Sequence, residues 1–217
     1  YLTQLTVPGT REQKLRSARD EIRDTLKAGF SDWQRVADRR ALMEITAVRK
    51  GVAEPKLRPK FRMQGSASPA YRTLNDPAHP SQQIDYDDGV YLPVSFLAET
   101  GSPVIAAAGY YRLVETLLLP LCGKRGWSID QSTKKCVRIV LDDHAHIDLP
   151  LYAIPDQEFV RLAEDTALAK MADRSVILDS AMLDDAVYEQ LSEDELRLAL
   201  REGKWIVSDP RDRKSVV

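Results

Sequence analysis

Three aspartates, Asp85, Asp87 and Asp88, occur within four residues of the stretch QQIDYDDGVYLP, which otherwise has the composition of an apolar strand. Side chains alternate along a strand, so Asp85 and Asp87 would share one face at a separation of about 6–7 Å. Two such carboxylates repel each other unless a cation neutralises them, so the pair indicates a site for a hard divalent ion. A D-x-D pair alone also fits a solvated strand edge. Asp88 would point to the opposite face and precedes Gly89, so we predict a role in a bulge or turn for it.

A third carboxylate stands in the stretch HIDLPLY, in which apolar residues alternate with polar ones. His146 and Asp148 would share the face opposite the apolar residues. An acid among strong strand formers is costly to bury unless it is neutralised. If this strand lies beside the first, three carboxylates converge, and such a triad fits two Mg²⁺ ions that bridge a nucleoside triphosphate.

The tripeptide QGS comprises Gln64, Gly65 and Ser66 and stands about twenty residues before the aspartate strand. Glycine lets the backbone approach a phosphate closely, and the serine offers a hydroxyl and an amide. A tripeptide carries little information by itself, but QGS ahead of a D-x-D strand is the order of a nucleotidyltransferase active site. The stretch LCGKRGW is not a Walker A motif, because it lacks the required spacing and the Ser or Thr after Gly-Lys.

The composition is that of a globular protein, with 217 residues of which 43% are hydrophobic and 29% charged. The formal net charge of -2 gives no global attraction to nucleic acid or to an anionic membrane, so any basic surface would be local. The two cysteines, Cys122 and Cys136, form no C-x-x-C pair, and neither a leader nor a stop-transfer segment is evident. These features favour a reducing cytoplasm.

Three other chemistries fit parts of the sequence less well. His144, His146 and Asp148 alternate onto one face of HAHID and could bind zinc, but a fourth ligand is not nearby. The basic stretch 56–62 could contact nucleic acid, and it also fits a solvated face or a charge beside a triphosphate. Cys136 has no basic neighbour that would activate a thiol nucleophile.

The first half of the chain combines helices, a long loop and the aspartate strand. A T-x-x-Q box at Thr10 predicts a helix start, and a second helical segment is expected around residues 33–49. The basic stretch 56–82 is rich in Pro, Ser and Gly and is predicted to be mostly loop. The aspartate strand should continue through Phe96, with Pro93 at an edge or a bulge.

The second half is predicted to contain a long helix, a hairpin and further helices. Ser102 as N-cap and Pro103 in the first turn predict the start of the long buried helix. KCVRIVL and HIDLPLY are predicted to pair as strands across the turn DDHA. Asp156 should cap one helix, and a capping box from Ser192 to Glu195 should begin another over LRLALREG. This order predicts an α+β fold with a small mixed sheet.

Four blocks resemble one protein family in their residues and in their order: QGS, YRTLNDPAHPSQQIDYDDGVYLP, HIDLPLYAIP and LALREGKWIVSDP. They are similar to the CD-NTases, bacterial synthases of cyclic di- and trinucleotides in antiphage signalling, and in particular to the branch that contains bacterial cyclic GMP-AMP synthase. The resemblance implies that residues 61–210 form a catalytic core with the nucleotidyltransferase (polymerase-β-like) fold, a small mixed sheet flanked by helices. Residues 1–60 would then form an N-terminal helical region.

The resemblance also implies roles for individual residues. Asp85, Asp87 and Asp148 would bind two Mg²⁺ ions, for which Mn²⁺ is an alternative, and would activate a 3′-hydroxyl. ATP and GTP, or other NTPs, would be the substrates, and an effector that binds the cyclic product would be a partner. The residues expected to contact nucleotides are Gln64, Gly65 and Ser66 at the donor triphosphate, Arg138 near the acceptor base, Ser208 and Asp209 near the donor base, and Tyr71 beside the pocket.

The family also has a C-terminal helical domain that completes the nucleotide cleft, and we expect this chain to be an N-terminal fragment without it. Alone, the 217 residues are therefore expected to be weakly active or inactive. Residues 212–217 are predicted to be non-native, because the sequencing-adapter stretch GATCGGAAGAGCGTCGTGTAG translates as DRKSVV followed by a stop. Resequencing the gene tests this expectation.

Three functions stay open from the sequence: a synthase of cyclic oligonucleotides, a nucleotidyltransferase that modifies a protein or tRNA, and a non-catalytic nucleotide-binding module. The three carboxylates together with QGS argue against the third function, because a binding module does not need two metal ions.

Overall fold

The computed structural model describes residues 9–36, 58–65, 83–94, 96–97, 102–103, 105–172 and 180–208. The helices of these residues are α1 (Gly9–Val36), α2 (Ala107–Arg125), α3 (Asp156–Ala172) and α4 (Ser180–Gln190), with a 3-10 turn at Glu193–Glu195. The strands are β1 (Lys60–Met63), β2 (Ile84–Val94), β3 (Phe96–Leu97), β4 (Ser102–Pro103), β5 (Ser128–Asp130), β6 (Cys136–Asp142), β7 (Ala145–Pro155), β8 (Arg197–Ala199) and β9 (Trp205–Val207). None of the described helices is both long enough and apolar enough to cross a bilayer.

The strands that carry the predicted acids are neighbours in a mixed sheet with the order β1-β2-β7-β6-β5, and β8 joins β7 to β9. β2 and β7 are parallel, whereas the other pairs in this sheet are antiparallel. β7 is central, because β2 pairs along one side of it while β6 and then β8 pair along the other. The prediction of an α+β fold with a mixed sheet is confirmed.

The two faces of β2 and β7 are covered by different helices. On one face, Ile84, Tyr86 and Val90 pack with α1 and α2 in the main hydrophobic core. On the other face, Tyr91 and Tyr152 stack with ring centroids 4.8 Å apart and pack with α3 and α4 in a second core. Because side chains alternate, the odd-numbered acids of β2 lie on the same face as Tyr91, at the end that stays accessible.

Most of the predicted elements are found. The β6–β7 hairpin turns at residues 143–144, and α3 begins at Asp156. The aspartate strand β2 ends at Val94 and not at Phe96 as predicted, because Phe96 belongs to β3 and pairs with β4. α1 begins at Gly9 and continues through residue 36, so the described part of the second helical segment belongs to α1. Residues 37–49 of that segment lie outside the described residues.

The long helix begins at Ala107 and not at Ser102, as was predicted. Ser102–Pro103 forms strand β4, which pairs with β3, and Ala106 is an N-cap without a side-chain hydrogen bond. A residue that precedes proline is biased towards extended backbone, which favours a strand at Ser102 over a helix N-cap.

The segment LRLALREG forms a strand and a turn, so the prediction of a helix there is wrong. The backbone N–H of Ser192 does donate to Glu195 Oε2 at 2.8 Å, but the chain then enters β8. β8 pairs with β7 at Tyr152 and Ala153, beyond the residues that β6 pairs. The segment's apolar residues fit the helical period of 3.6, but its buried leucines also alternate with an arginine at the strand period of 2. The segment is a strand because its backbone can hydrogen-bond to the part of β7 that β6 leaves unpaired.

Part of the predicted loop is strand β1, which pairs with β2. Its cations contact acids of α4: Lys60 Nζ lies 2.9 Å from Asp184 Oδ1, and Arg62 pairs with Glu189. The guanidinium of Arg62 also lies over the ring of Tyr188, 4.2 Å from its centroid. The prediction of a loop is therefore wrong for these residues, because they form a strand whose charges are paired with a helix.

Candidate active site

The parallel register of β2 and β7 brings the predicted acids together. Asp85 lies opposite His146, and Asp87 lies opposite Asp148. His146 Nε2 is 3.0 Å from Asp85 Oδ1 and 4.0 Å from Asp148 Oδ1. One ligand atom from each of these three residues lies within 4.8 Å of the others, so the group could hold a metal ion.

Asp87 stands beside this group in an environment that opposes its charge. Burial, followed by the negative charges of Asp85 and Asp148, raises the pKa of Asp87 to about 7, and His146 and Arg138 act in the opposite direction. A cation at this position would offset the repulsion between the carboxylates. The donor set therefore fits a divalent metal ion.

Arg138 holds Asp148 from the neighbouring strand. The two residues are cross-strand partners in the β6–β7 hairpin, and the guanidinium donates from Nε to Oδ1 and from Nη2 to Oδ2, both at 2.7 Å. This hydrogen-bonded pairing raises the pKa of Arg138 above its usual range. Arg138 thus contacts an acid of the site, and its predicted contact with an acceptor base stays a prediction.

Gly65 places the backbone against the acids. Its φ of +58° is in the left-handed region, and an added Cβ would clash with Asp87 Oδ2. The preceding residue, Gln64, donates its backbone N–H to the carbonyl oxygen of Asp87 at 3.0 Å. The Gln64 side chain is buried and donates to the Tyr91 hydroxyl, which lies 3.1 Å from the hydroxyl of Tyr188. Gln64 therefore links the end of β1 to the second core, and its side chain points away from solvent.

We expect Gly65→Ala to lower the turnover of the complete gene product by about 100-fold, the size of loss that an ångström of misplacement in an active site can cause. The added methyl group would push Asp87 aside, and the left-handed backbone would cost about 1 kcal/mol as well. Steady-state kinetics with the NTP substrates that the family resemblance implies measure the loss.

Gly126→Ala is the matched control for this substitution. Gly126 also has a positive φ, of +71°, but an added Cβ would meet nothing within 4 Å. It therefore carries the backbone strain without the clash, and its turnover should equal that of the wild type. Equal losses in both variants would show that strain, and not the displacement of Asp87, is responsible.

Asp88 has a different role from the predicted bulge or turn, although it is separate from the other two acids as predicted. It lies inside β2 opposite Met63, it is 0% exposed, and Arg23 of α1 donates to both of its oxygens, from Nε at 2.7 Å. Sequence reasoning missed this pair. The available signal was Arg19 and Arg23, two cations placed on the apolar side of α1.

The structure separates the two histidines of the alternative zinc site. His144 is exposed in the β6–β7 turn, whereas His146 is buried beside Asp85 and Asp148. Cys136 is buried, and burial raises the pKa of its thiol, which agrees with the absence of a predicted nucleophilic role. Ser208 is buried just after β9. Three further predicted nucleotide contacts lie outside the described residues: Ser66, Tyr71 and Asp209.

Comparison with known proteins agrees with this geometry. Residues 59–152 match the family model "Cyclic GMP-AMP synthase DncV-like, nucleotidyltransferase domain". Over 163 residues the chain is 36% identical to a cyclic GMP-AMP synthase of Vibrio cholerae, a match that covers 71% of this chain and 36% of that protein. The chain thus spans about a third of the length of this curated relative.

Two solved structures of the di-nucleotide cyclase DncV of Vibrio cholerae have a similar fold. A mutant in complex with ATP, GTP and 5MTHFGLU2 gives a TM-score of 0.70 at 25% identity, over 97% of this chain and 57% of that one. A complex with the linear intermediate 5′ pppA(3′,5′)pG gives a TM-score of 0.65 at 26% identity, over 97% of this chain and 56% of that one. With this match to the family model, 36% identity to a cyclic GMP-AMP synthase and a shared fold, residues 59–152 belong to the DncV-like nucleotidyltransferase domain family, in agreement with the resemblance to the CD-NTases.

Proposed function

We propose that this chain forms the catalytic core of a Mg²⁺-dependent nucleotidyltransferase that joins NTPs such as ATP and GTP into a 3′-5′-linked cyclic di- or trinucleotide. The observation that carries the proposal is the β2–β7 register, which sets Asp87 opposite Asp148 and Asp85 opposite His146. Gly65, which has no side chain to clash there, brings the backbone against Asp87. A cation site and a glycine at close approach are what a metal-bound triphosphate requires.

The chain's own residues divide the work of this reaction. A divalent ion bound here would neutralise charge on the triphosphate and on the leaving pyrophosphate. Asp85, Asp87 and Asp148 would hold it, and we assign the proton of the attacking 3′-hydroxyl to this carboxylate cluster. Arg138 keeps both oxygens of Asp148 in a fixed orientation. The hydroxyl attacks the α-phosphate in line and pyrophosphate leaves, and a second attack within the linear product closes the ring.

The relatives support a cyclic product over transfer to a macromolecule. The curated relative is named cyclic GMP-AMP synthase, and one solved neighbour holds a linear dinucleotide intermediate. Because the chain covers 36% of that relative, the proposal concerns the complete enzyme. On the family resemblance we also propose residues 61–210 as its catalytic core, the cytoplasm as its location and antiphage signalling as its role.

The proposal predicts that the complete gene product, incubated with labelled NTPs and Mg²⁺, forms a small labelled product that resists phosphatase. A cyclic product has no terminal phosphate that the phosphatase could remove, whereas a linear product has one. Thin-layer chromatography detects the product, and its mass spectrum gives the bases and the ring size. EDTA in place of Mg²⁺ is the control and should abolish the product.

Other outcomes would point elsewhere. Label on protein or tRNA would favour a nucleotidyltransferase that modifies a macromolecule. Binding of NTPs without any turnover, in Mg²⁺ and in Mn²⁺, would favour a binding module and would overturn the proposal.

A further inference from the structure

His146 lies among the acids of the site, and the proposed reaction assigns no task to it. The residue is 6% exposed, and its Nε2 atom makes no hydrogen bond within the part of the chain that the structure describes. Asp85 Oδ1 is only 3.0 Å from this atom, but the contact lacks the direction of a hydrogen bond. Buried polar atoms in proteins almost always have a partner, so Nε2 is expected to bind something that is not among the described residues, and a metal ion fits its neighbours.

Gln83 determines which nitrogen of His146 carries the proton. Gln83 Nε2 donates to the carbonyl oxygen of Asp143 at 3.3 Å, so the amide oxygen of Gln83 is the atom that faces the imidazole. That oxygen lies 2.8 Å from His146 Nδ1. An amide oxygen can only accept a hydrogen bond, so Nδ1 is the donor. In the neutral ring, Nε2 then presents a lone pair towards the carboxylates.

The distances around Nε2 are those of ligands that share one ion. Donor atoms bound to an octahedral ion at about 2.1 Å lie about 3 Å apart when adjacent and about 4.2 Å apart when opposite. Nε2 lies 3.0 Å from Asp85 Oδ1 and 4.0 Å from Asp148 Oδ1. Asp148 can still coordinate, because each of its oxygens accepts one hydrogen bond from Arg138 and keeps a second lone pair.

The contact between His146 and Gln83 is also typical of a histidine that binds a metal ion. Histidines that bind metals commonly donate their other ring N–H to a carbonyl or carboxylate oxygen, which fixes the tautomer and the orientation of the ring. His146 has this arrangement, with Gln83 as the acceptor. Its register partner Asp85 is the most accessible acid of the group, with 52% of its side chain exposed, so an ion can enter from that side.

We propose that His146 Nε2 is a direct ligand, together with Asp85 and Asp148, of a divalent ion in this site, and that this nitrogen makes the site select Mn²⁺ over Mg²⁺. Mg²⁺ binds almost entirely through oxygen. Mn²⁺ also favours carboxylates but, as a first-row transition metal, accepts an imidazole nitrogen beside them, so a mixed set of two carboxylates and one imidazole favours Mn²⁺ over Mg²⁺. The inference rests on the metal site of the proposed function. It concerns binding of the ion, which is measured without nucleotide and without turnover.

The first experiment uses the wild-type chain and Mn²⁺ alone. Loss of the EPR signal of free Mn²⁺ gives the affinity, and pulsed EPR of the bound ion detects nitrogen in direct coordination. The chain has only three histidines, so labelling with ¹⁵N-histidine limits the labelled nitrogens to these three residues. We expect a ¹⁴N coupling in the unlabelled chain that is replaced by a ¹⁵N coupling after labelling.

The second experiment identifies the residue. His146→Gln should remove the nitrogen coupling and lower the Mn²⁺ affinity at least about tenfold, the lower end of what changes around a metal site cause. Mg²⁺ affinity, measured by competition with Mn²⁺, should change by less than about threefold, because Mg²⁺ gains little from imidazole. His144→Gln is the matched control, the same substitution in the exposed turn two residues away, and should leave the coupling and both affinities unchanged.

Several outcomes would overturn the inference. Bound Mn²⁺ without nitrogen coupling, or an equal loss of Mn²⁺ and Mg²⁺ affinity in His146→Gln, would exclude His146 as the selective ligand, and the proposed function would stand. No binding of Mn²⁺ would also overturn it. If thermal melts show that His146→Gln does not fold, the labelled wild-type chain decides. Nitrogen coupling in this chain, combined with no cyclic product from the complete gene product, would support His146 as a ligand and overturn the proposed function instead.

Discussion

Asp87→Asn is expected to lower the turnover of the complete gene product by about a thousandfold or more while it stabilises the folded chain. The loss follows from removing one carboxylate of the metal site, since about 4 kcal/mol of lost transition-state stabilisation corresponds to about a thousandfold in rate. The gain in stability follows from removing a half-buried charge that its neighbours repel, because burial first, and then the negative charges of Asp85 and Asp148, raise the pKa of Asp87 to about 7. Activity and stability should therefore change in opposite directions.

The stability effect has a defined pH window. An unfolded aspartate loses its proton near pH 4, whereas folded Asp87 keeps its proton until about pH 7. Between these values the folded state binds more protons, so the free energy of unfolding falls as pH rises. Three pKa units set an upper limit of about 4 kcal/mol, which solvent contact of the half-buried side chain reduces. Asp87→Asn should remove this slope.

Urea denaturation in EDTA at pH 5 and at pH 8 measures the stability effect. Asp87→Asn should exceed the wild type in stability at pH 8 and approach it at pH 5. Asp143→Asn, in the exposed turn between β6 and β7, is the control and should change neither turnover nor the pH slope. Wild-type turnover in Asp87→Asn would contradict a role of this acid in metal binding. An unchanged dependence of the free energy of unfolding on pH would contradict the argument that Asp87 carries an unfavourable charge.

Asp88→Ala is expected to lower the free energy of unfolding by about 3 kcal/mol, at the lower end of the range for broken buried ion pairs. Asp88 is completely buried, and the substitution would leave the guanidinium of Arg23 without its carboxylate. With 21% of its side chain exposed, Arg23 can regain some hydration, which limits the loss. For a chain of this size the melting temperature should fall by roughly 6–12 °C.

A double-mutant cycle with Arg23→Ala and Asp88→Ala, measured by urea denaturation, isolates the energy of the pair. Arg161→Ala is the control, because Arg161 forms ion pairs at 58% exposure on α3, and its loss of stability should be clearly smaller than that of Asp88→Ala. A loss of less than 1 kcal/mol in Asp88→Ala, at about the level of an exposed pair, would contradict the structural role. A stable Asp88→Ala variant with no turnover would indicate that Asp88 belongs to the active site.

Local patterns predicted the strands of the site well. The alternation in QQIDYDDGVYLP placed Asp85 and Asp87 on one face of their strand, and that in HIDLPLY placed His146 and Asp148 on one face of theirs. The register confirms both, because it sets Asp85 opposite His146 and Asp87 opposite Asp148. Local patterns failed where the same residues fit both the helical and the strand period. LRLALREG has apolar residues that fit a helix and a strand, and pairing with β7 made it a strand.

Contacts between distant segments could not be predicted in the same way. The partner of Asp88 is on α1, and the partners of Lys60 and Arg62 are on α4. A charged residue in a strand pattern looks the same whether it is solvated or paired with a distant helix. The prediction of a bulge for Asp88 and of a loop around Lys60 failed for this reason.

Alternation along the chain specifies which of the predicted site residues share a strand face, because it depends only on the local geometry of the backbone. The tertiary structure makes β2 and β7 parallel neighbours in the register that sets Asp87 against Asp148. It also decided that the buried Nε2 of His146 faces Asp85. These distances depend on how segments far apart in the chain pack together, and no local pattern encodes that packing.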